Sequence, residues 1–452
     1  MSWEKVCIKD VALGIFDGPH ATPPEADSGA VFLGIPNFVN GQLDLSDIRY
    51  ISEEDLPKWT RRVTPQANDI VFSYEATLNL YAIIPRSFRG CLGRRMALIR
   101  PDTTKVNYKY LYYYFYSKAW RDIISENTVL GATVDRIPLV KFPNFEIELP
   151  PMETQNRIAD ILFAYDNLIE NNQKQIKLLE ETAQRLYKEW FVELRFPGYE
   201  NTPIIDGVPQ GWRIDEVKSV VSLLSGYAFK SNDFVERGKY KIVTIKNVQD
   251  GSFDGENVNT IAEIPSKMPR HCILNDGDIL LSLTGNVGRV CLVNGKDYLL
   301  NQRVAKLDSK YPAYAYCLFR NKDMFDIMNN LANGAAQQNL SPIRTENVRI
   351  LIPSDGLIQK FEDVVSPMIS KMLVLNKANS NLKQARDRLL PKLMSGEIDF
   401  SEKKHAVILQ LPKKISYEEF LAELGMAARA KTISEADLKA MYEAYLDDDA
   451  TE

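Results

Sequence analysis

The sequence predicts an α+β protein. Two similar β-rich domains are separated by a long antiparallel two-helix coiled coil, and a small helical tail follows at the C-terminus. Three observations carry this prediction: a passage that occurs twice, two long segments with heptad spacing, and runs of β-branched residues broken by Gly, Asn and Asp ahead of each segment.

The duplicated passage is GATVDRIPLVKFPNFEIELP (131–150) and GAAQQNLSPIRTENVRILIP (334–353), offset by 203 residues. Gly131/Gly334, Ala132/Ala335, Asn144/Asn347, Ile147/Ile350 and Pro150/Pro353 are identical. The likeness extends upstream at offsets of 208 to 210. Trp3 matches Trp212, VFLGIPNFVNGQLD (31–44) matches KIVTIKNVQDGSFD (241–254), and ANDIVFSYEATLN (67–79) matches DGDILLSLTGNVG (276–288). Small loop insertions account for the drift. Each half runs in one order: short strands and turns, an aromatic helix (108–124 and 311–328), further short strands, then a long helix. This gives domains at 1–151 and 195–354, spacer helices at 152–194 and 355–400, and an extension at 401–452.

In the first long segment the seam falls at Ile158, Leu162, Tyr165, Ile169, Asn172, Ile176, Leu179, Ala183, Leu186 and Trp190, with steps alternating 4 and 3. Adding 203 gives Phe361, Val365, Met368, Met372, Leu375, Asn379, Leu382, Arg386, Leu389 and Leu393. An antiparallel pairing with partner numbers summing to 551 sets Trp190 against Phe361, Leu162 against Leu389 and Asn172 against Asn379. The two seam asparagines then satisfy each other and define the register. The same frame sets Tyr165 over the guanidinium of Arg386. Pro367 predicts either a bend or a second helix that starts after it. A helix of about 42 residues is about 63 Å long, so two sensors at the ends of such a rod suit a polymer read at two places.

Composition limits the function. The chain has 452 residues and 45% hydrophobic content, and it has no apolar run of bilayer length and no apolar signal core at its start. A cytoplasmic protein without membrane contact is expected. The five scattered cysteines form no CxxC pair, and the three histidines (His20, His271, His405) have no partner at ligand spacing, so no metal site is predicted. Net charge is -5, of which residues 401–452 hold -4. Methyltransferase and P-loop signatures are missing: the Pro-Pro pairs lie in ATPPEA and LPPMET, and GRVCLVNGK has six residues between its glycines. No catalytic residue is predicted. The run YLYYYFY could stack bases, but helix packing is the favoured reading, because the second copy dilutes the aromatics while keeping the length.

Polar, glycine-rich loops offer binding chemistry instead. SGYAFKSND, LTGNVGR, LNQR and GAAQQN present Lys230, Asn286, Arg289, Gln302, Arg303, Gln337 and Gln338. The first half offers Arg94, Arg95 and His20 in the corresponding loops. Arg, Lys, Asn and Gln read guanine and adenine edges in the major groove. Loops that diverge on a shared framework would let two domains read different sequences.

PQGWR (209–213), LLSGYAF (223–229), NDGDILLSLTGNVGRV (275–290), NQRVAKLD (301–308), GAAQQNLS (334–341), LPPMETQNRIADIL (149–162) and RLLPKLMSGEIDF (388–400) together resemble the specificity (S) subunits of type I DNA restriction-modification systems. The resemblance covers roughly residues 1–400. It implies two target-recognition domains, each binding one half of a split site in double-stranded DNA, and two methyltransferase (M) subunits that bring S-adenosylmethionine and methylate adenine. It also implies motor-nuclease (R) subunits, where present, that cleave unmethylated DNA with ATP and magnesium. The S subunit itself would bind no cofactor and catalyse nothing. Two features depart from the pattern: YEATLNLYAIIP and LGRR replace the TGNVGR and NQR sequences in the first half, and the tail at 401–452 is additional. In the tail, 416–430 and 434–449 read as short helices with Ser416 and Ser434 as caps, and a surface that touches M or R subunits is one expectation for them. Two other readings stay open: a coiled-coil scaffold whose β-domains bind protein or glycan, and an enzyme with an unrecognised site.

Overall fold

The structure, a computed structural model, describes residues 3–131, 134–256, 258–332 and 338–398. Gln337 and both tail helix candidates lie outside the described residues. By their contacts the described residues form two units, one of 3–168 with 382–398, the other of 169–381.

The first unit contains a four-stranded antiparallel sheet in the order Ala12–Asp17, Met96–Pro101, Ile70–Ser73, Tyr81–Ile83. A second sheet pairs Ala30–Leu33 antiparallel with Arg49–Ile51 and parallel with Gly90–Leu92. Strand Glu4–Cys7 closes on Glu146–Leu149. The second unit repeats this plan. Its four-stranded sheet runs Ser222–Ser225, Val304–Asp308, Ile279–Ser282, Val290–Leu292. Tyr240–Val243 lies parallel to Tyr298–Leu300, and Arg213–Glu216 pairs with Arg349–Ile352. Strands Ile70–Ser73 and Ile279–Ser282, inside these two sheets, are wholly buried, which explains their continuous Val, Ile, Leu and Phe runs.

The aromatic stretch of the first half folds as helices Tyr108–Tyr114 and Lys118–Asn127, capped by the side chains of Asn107 and Ser117. Tyr110, Tyr112, Tyr113, Tyr114 and Phe115 are all buried, and burial drives the Tyr110 and Tyr112 hydroxyls well above their ordinary pKa. These rings therefore serve the core. The second half has Pro312–Arg320 and Lys322–Ala332 in the same place.

Helix Met152–Tyr187 continues into a π turn at Lys188–Val192, and helix Asp355–Met394 spans 40 residues. Both helices contribute to both units. In the second unit Trp190 and Phe361 lie 5.8 Å apart, and Asn172 Nδ2 donates to Asn379 Oδ1 at 2.8 Å, so the helices run antiparallel there. In the first unit Ile158 and Leu162 share a core with Leu389 and Leu393.

The second helix starts at Asp355, so of the two outcomes that Pro367 allows the late start does not occur. Pro367 and Asp363 are both exposed, so the carbonyl that loses its helical N–H faces water, where the loss costs least. The guanidinium of Arg386 meets Asp166 at 2.5 Å rather than the Tyr165 ring, and Asp166 also accepts the Tyr113 hydroxyl. In a half-buried seam a carboxylate next to the predicted ring is the stronger partner for a cation.

Candidate nucleic-acid interface

In the second unit, backbone hydrogen bonds gather four loops at one edge of the central sheet. Gly226 N donates to Val304 O (3.1 Å), Gln302 N to Tyr227 O (3.0 Å), Leu283 N to Arg303 O (3.0 Å) and Leu340 N to Leu283 O (2.8 Å). Only glycine fits at 226, because a Cβ there would stand 2.2 Å from the carbonyl oxygen of Asn301. These bonds bring together the loops carrying Lys230, Asn286, Arg289, Gln302, Arg303 and Gln338. Lys230, Asn286, Gln302, Arg303 and Gln338 are exposed, while Arg289 is half-buried with its Nη1 on Gln249 Oε1 at 2.5 Å. Asn286, Arg289 and Gln338 line one cleft of about 470 Å³ together with Lys322 and Phe325.

The first unit repeats three of these four bonds. Gly18 N donates to Met96 O (2.8 Å), Tyr74 N to Arg95 O (3.1 Å) and Ile137 N to Tyr74 O (2.7 Å). The departure at YEATLN keeps two left-handed backbone positions of the second half's loop. Ala76 (φ 70°) and Asn79 (φ 62°) adopt the left-handed conformation that Gly285 (φ 72°) and Gly288 (φ 82°) adopt 209 residues later. Alanine accepts this at a cost of roughly 1–2 kcal/mol. Arg94 is exposed and Arg95 is half-buried. His20 lies 3.1 Å from Asp17 and is 62% exposed.

Three residues at this edge were not picked out from the sequence. Arg62 pairs with Asp17 at 2.5 Å, and the backbone of Arg136 forms an antiparallel β-bridge with that of Glu75. The Tyr74 hydroxyl is buried without a hydrogen-bond partner among the described residues, and burial, then Asp17 and Glu75, raise its pKa. The Arg61-Arg62 pair was the available clue to the first; Tyr74 and Arg136 lie in YEATLN and GATVDR, the first-half equivalents of the second half's polar loops, so the repeat was the clue to them. Carboxylates also hold Arg320, by Glu180, and Arg386, by Asp166.

Among the described residues no group of three or more His, Cys, Asp or Glu side chains could hold a metal ion, and no helix is long and apolar enough to cross a membrane. Burial pushes the Cys91 and Cys291 thiols up to about 12, so neither is a ready nucleophile.

Comparison with known proteins agrees with this duplicated architecture. The sequence profile described as type I restriction modification DNA specificity domain matches twice, at residues 2–181 and 209–378. The type I restriction enzyme MjaIX specificity subunit of Methanocaldococcus jannaschii is 27% identical over 366 residues, covering 78% of this chain and 83% of the relative. The HindI specificity subunit of Haemophilus influenzae is 20% identical over 467 aligned positions, covering 88% and 99%. The fold is also that of the crystal structure of a type I restriction-modification S subunit from M. genitalium, with TM-score 0.53 at 16% identity over 86% of this chain and 96% of that one. The two specificity-domain matches, each on one copy of the internal repeat, show that the chain belongs to the family of type I restriction-modification specificity subunits.

Proposed function

We propose that the chain is the non-catalytic sequence reader of a type I restriction-modification complex. Each domain binds one half of a bipartite, asymmetric site in double-stranded DNA. The complex positions two methyltransferase (M) subunits for adenine methylation and, where present, restriction (R) subunits for cleavage. S-adenosylmethionine, ATP and magnesium belong to those partners, and the work is done in the cytoplasm. The observation that carries this reading is the pair of loop edges: one hydrogen-bond framework, repeated, with different side chains mounted on it. Lys230, Asn286, Arg289, Gln302, Arg303, Gln338, Arg94, Arg95 and His20 are the candidate contacts. A framework held fixed while its polar loops vary suits recognition of two unlike sequences.

The test is selection from a random duplex library by the chain copurified with its M partner. Two short motifs at a fixed separation are expected, with affinity falling steeply as salt rises, because phosphate contacts release counterions. Enrichment of one contiguous motif, or of none, overturns the proposal.

A further inference from the structure

Arg320 ends helix Pro312–Arg320 and is 14% exposed. Its guanidinium joins three parts of the second unit. Nε donates to Glu180 of helix Met152–Tyr187 at 2.7 Å, Nη1 donates to Asp250 at 2.6 Å, and Nη1 also reaches the Val290 carbonyl at 3.3 Å. Glu180 is 15% exposed and is held from the other side by the Tyr316 hydroxyl at 2.7 Å. Burial works against the charge of Arg320, but Tyr316, Glu180 and Asp250 outweigh it and hold the pKa above its ordinary value.

The far end of this network reaches the candidate interface. Asp250 lies between Gln249, which accepts from Arg289, and Gly251, whose N–H donates to Val290 O at 2.9 Å. A Cβ at Gly251 would press on the guanidinium of Arg320 at 3.0 Å, so the segment fits closely over it. Arg320 also lines the cleft shared by Asn286, Arg289 and Gln338. An unbroken series of contacts therefore leads from the spacer helix to a candidate base-reading arginine.

The first half shares only the beginning of this series. Tyr113, the counterpart of Tyr316, donates to Asp166 of the same helix, but the counterpart of Arg320 is Ser117, a helix cap. The extension into the loops belongs to the second half.

We propose that Arg320 is a positioning residue for base reading by the second domain. It fixes segment 249–251, and through it Arg289, in register with the spacer helix. This inference rests on the DNA-reading function proposed above.

Replacing Arg320 outright strands Glu180 as a buried charge and risks unfolding. Asp250, 72% exposed, is the gentler site. The experiment uses the chain assembled with its M partner and compares Asp250→Ala, Arg320→Lys, Arg289→Ala and the Asp250→Ala/Arg289→Ala pair by binding to every single-base variant of the selected site. Lysine keeps a charge beside Glu180 but lacks the fork that spans Glu180 and Asp250 together. Asp250→Ala and Arg320→Lys should each lower base discrimination in the second half-site by about tenfold, the scale of one charged hydrogen bond. The first half-site and the melting temperature should hold. The double variant should be no worse than Arg289→Ala alone, since both act through one arginine. Multiplying effects, equal damage to both half-sites, or an inert Arg289→Ala would each overturn the inference. A wild-type complex that selects no two-part site would sink the DNA reading along with it. A two-part wild-type site with an unaltered second half in Asp250→Ala and Arg320→Lys would sink the inference alone.

Discussion

Replacing Asn172 with leucine should destabilise the second unit, and replacing Asn379 as well should restore it. Asn379 is 6% exposed, and its amide oxygen accepts from Asn172 at 2.8 Å. In the single variant that amide is left buried without its partner, at a cost of about 1–3 kcal/mol. The new leucine recovers part of this, because position 172 is only half-buried. A net loss of roughly 1–2 kcal/mol follows. In the Asn172→Leu/Asn379→Leu pair no polar group is stranded, and the seam gains two apolar residues beside Ile169 and Leu375, both buried. The double variant should equal or exceed wild type, giving a favourable coupling of about 1–3 kcal/mol. Stability should be measured by guanidinium unfolding, followed by tryptophan fluorescence, which reports on Trp190 and Trp212 in the same unit. Additive losses in the double variant would refute the argument, since they would mean that each amide is solvated independently of the other.

Two further outcomes are expected. Burial holds the Glu362 carboxyl above its ordinary pKa, against the N–H bonds from Ala313 and Tyr314 that pull it down. The folded state therefore favours the protonated acid, and wild-type stability from this group rises as pH falls through the raised pKa toward the ordinary glutamate range. Glu362→Gln should be more stable than wild type at neutral pH, with the gap closing on acidification. Unfolding midpoints at three pH values check this, and a gap that widens on acidification would contradict it. Alanine at Gln302 and Arg303, both exposed on the loop between Tyr298–Leu300 and Val304–Asp308, should weaken or relax one half-site by about 1–3 kcal/mol per lost base contact. Binding assays on half-site variants read this directly, and equal weakening of both halves would speak against it.

The sequence by itself determined the duplication, the order of elements in each half and the seam that brings Asn172 to Asn379. These are properties of periodicity: a heptad step or a repeated offset is written along the chain and needs no knowledge of distant partners. The loop framework of the first half was hidden, because YEATLN does not look like TGNVG. The left-handed positions at Ala76 and Asn79 follow Tyr74, whose N–H donates to Arg95 O and whose carbonyl accepts from Ile137 N, both on remote segments. Partner choice was hidden for the same reason. Whether Arg386 finds Tyr165 or Asp166, whether Arg62 finds Asp17, and whether Arg320 links Glu180 to Asp250 depends on which side chains a folded surface brings within about 3 Å, the reach of a hydrogen bond. Local spacing sets the faces of helices and strands, but only the tertiary structure decides which charges meet across them.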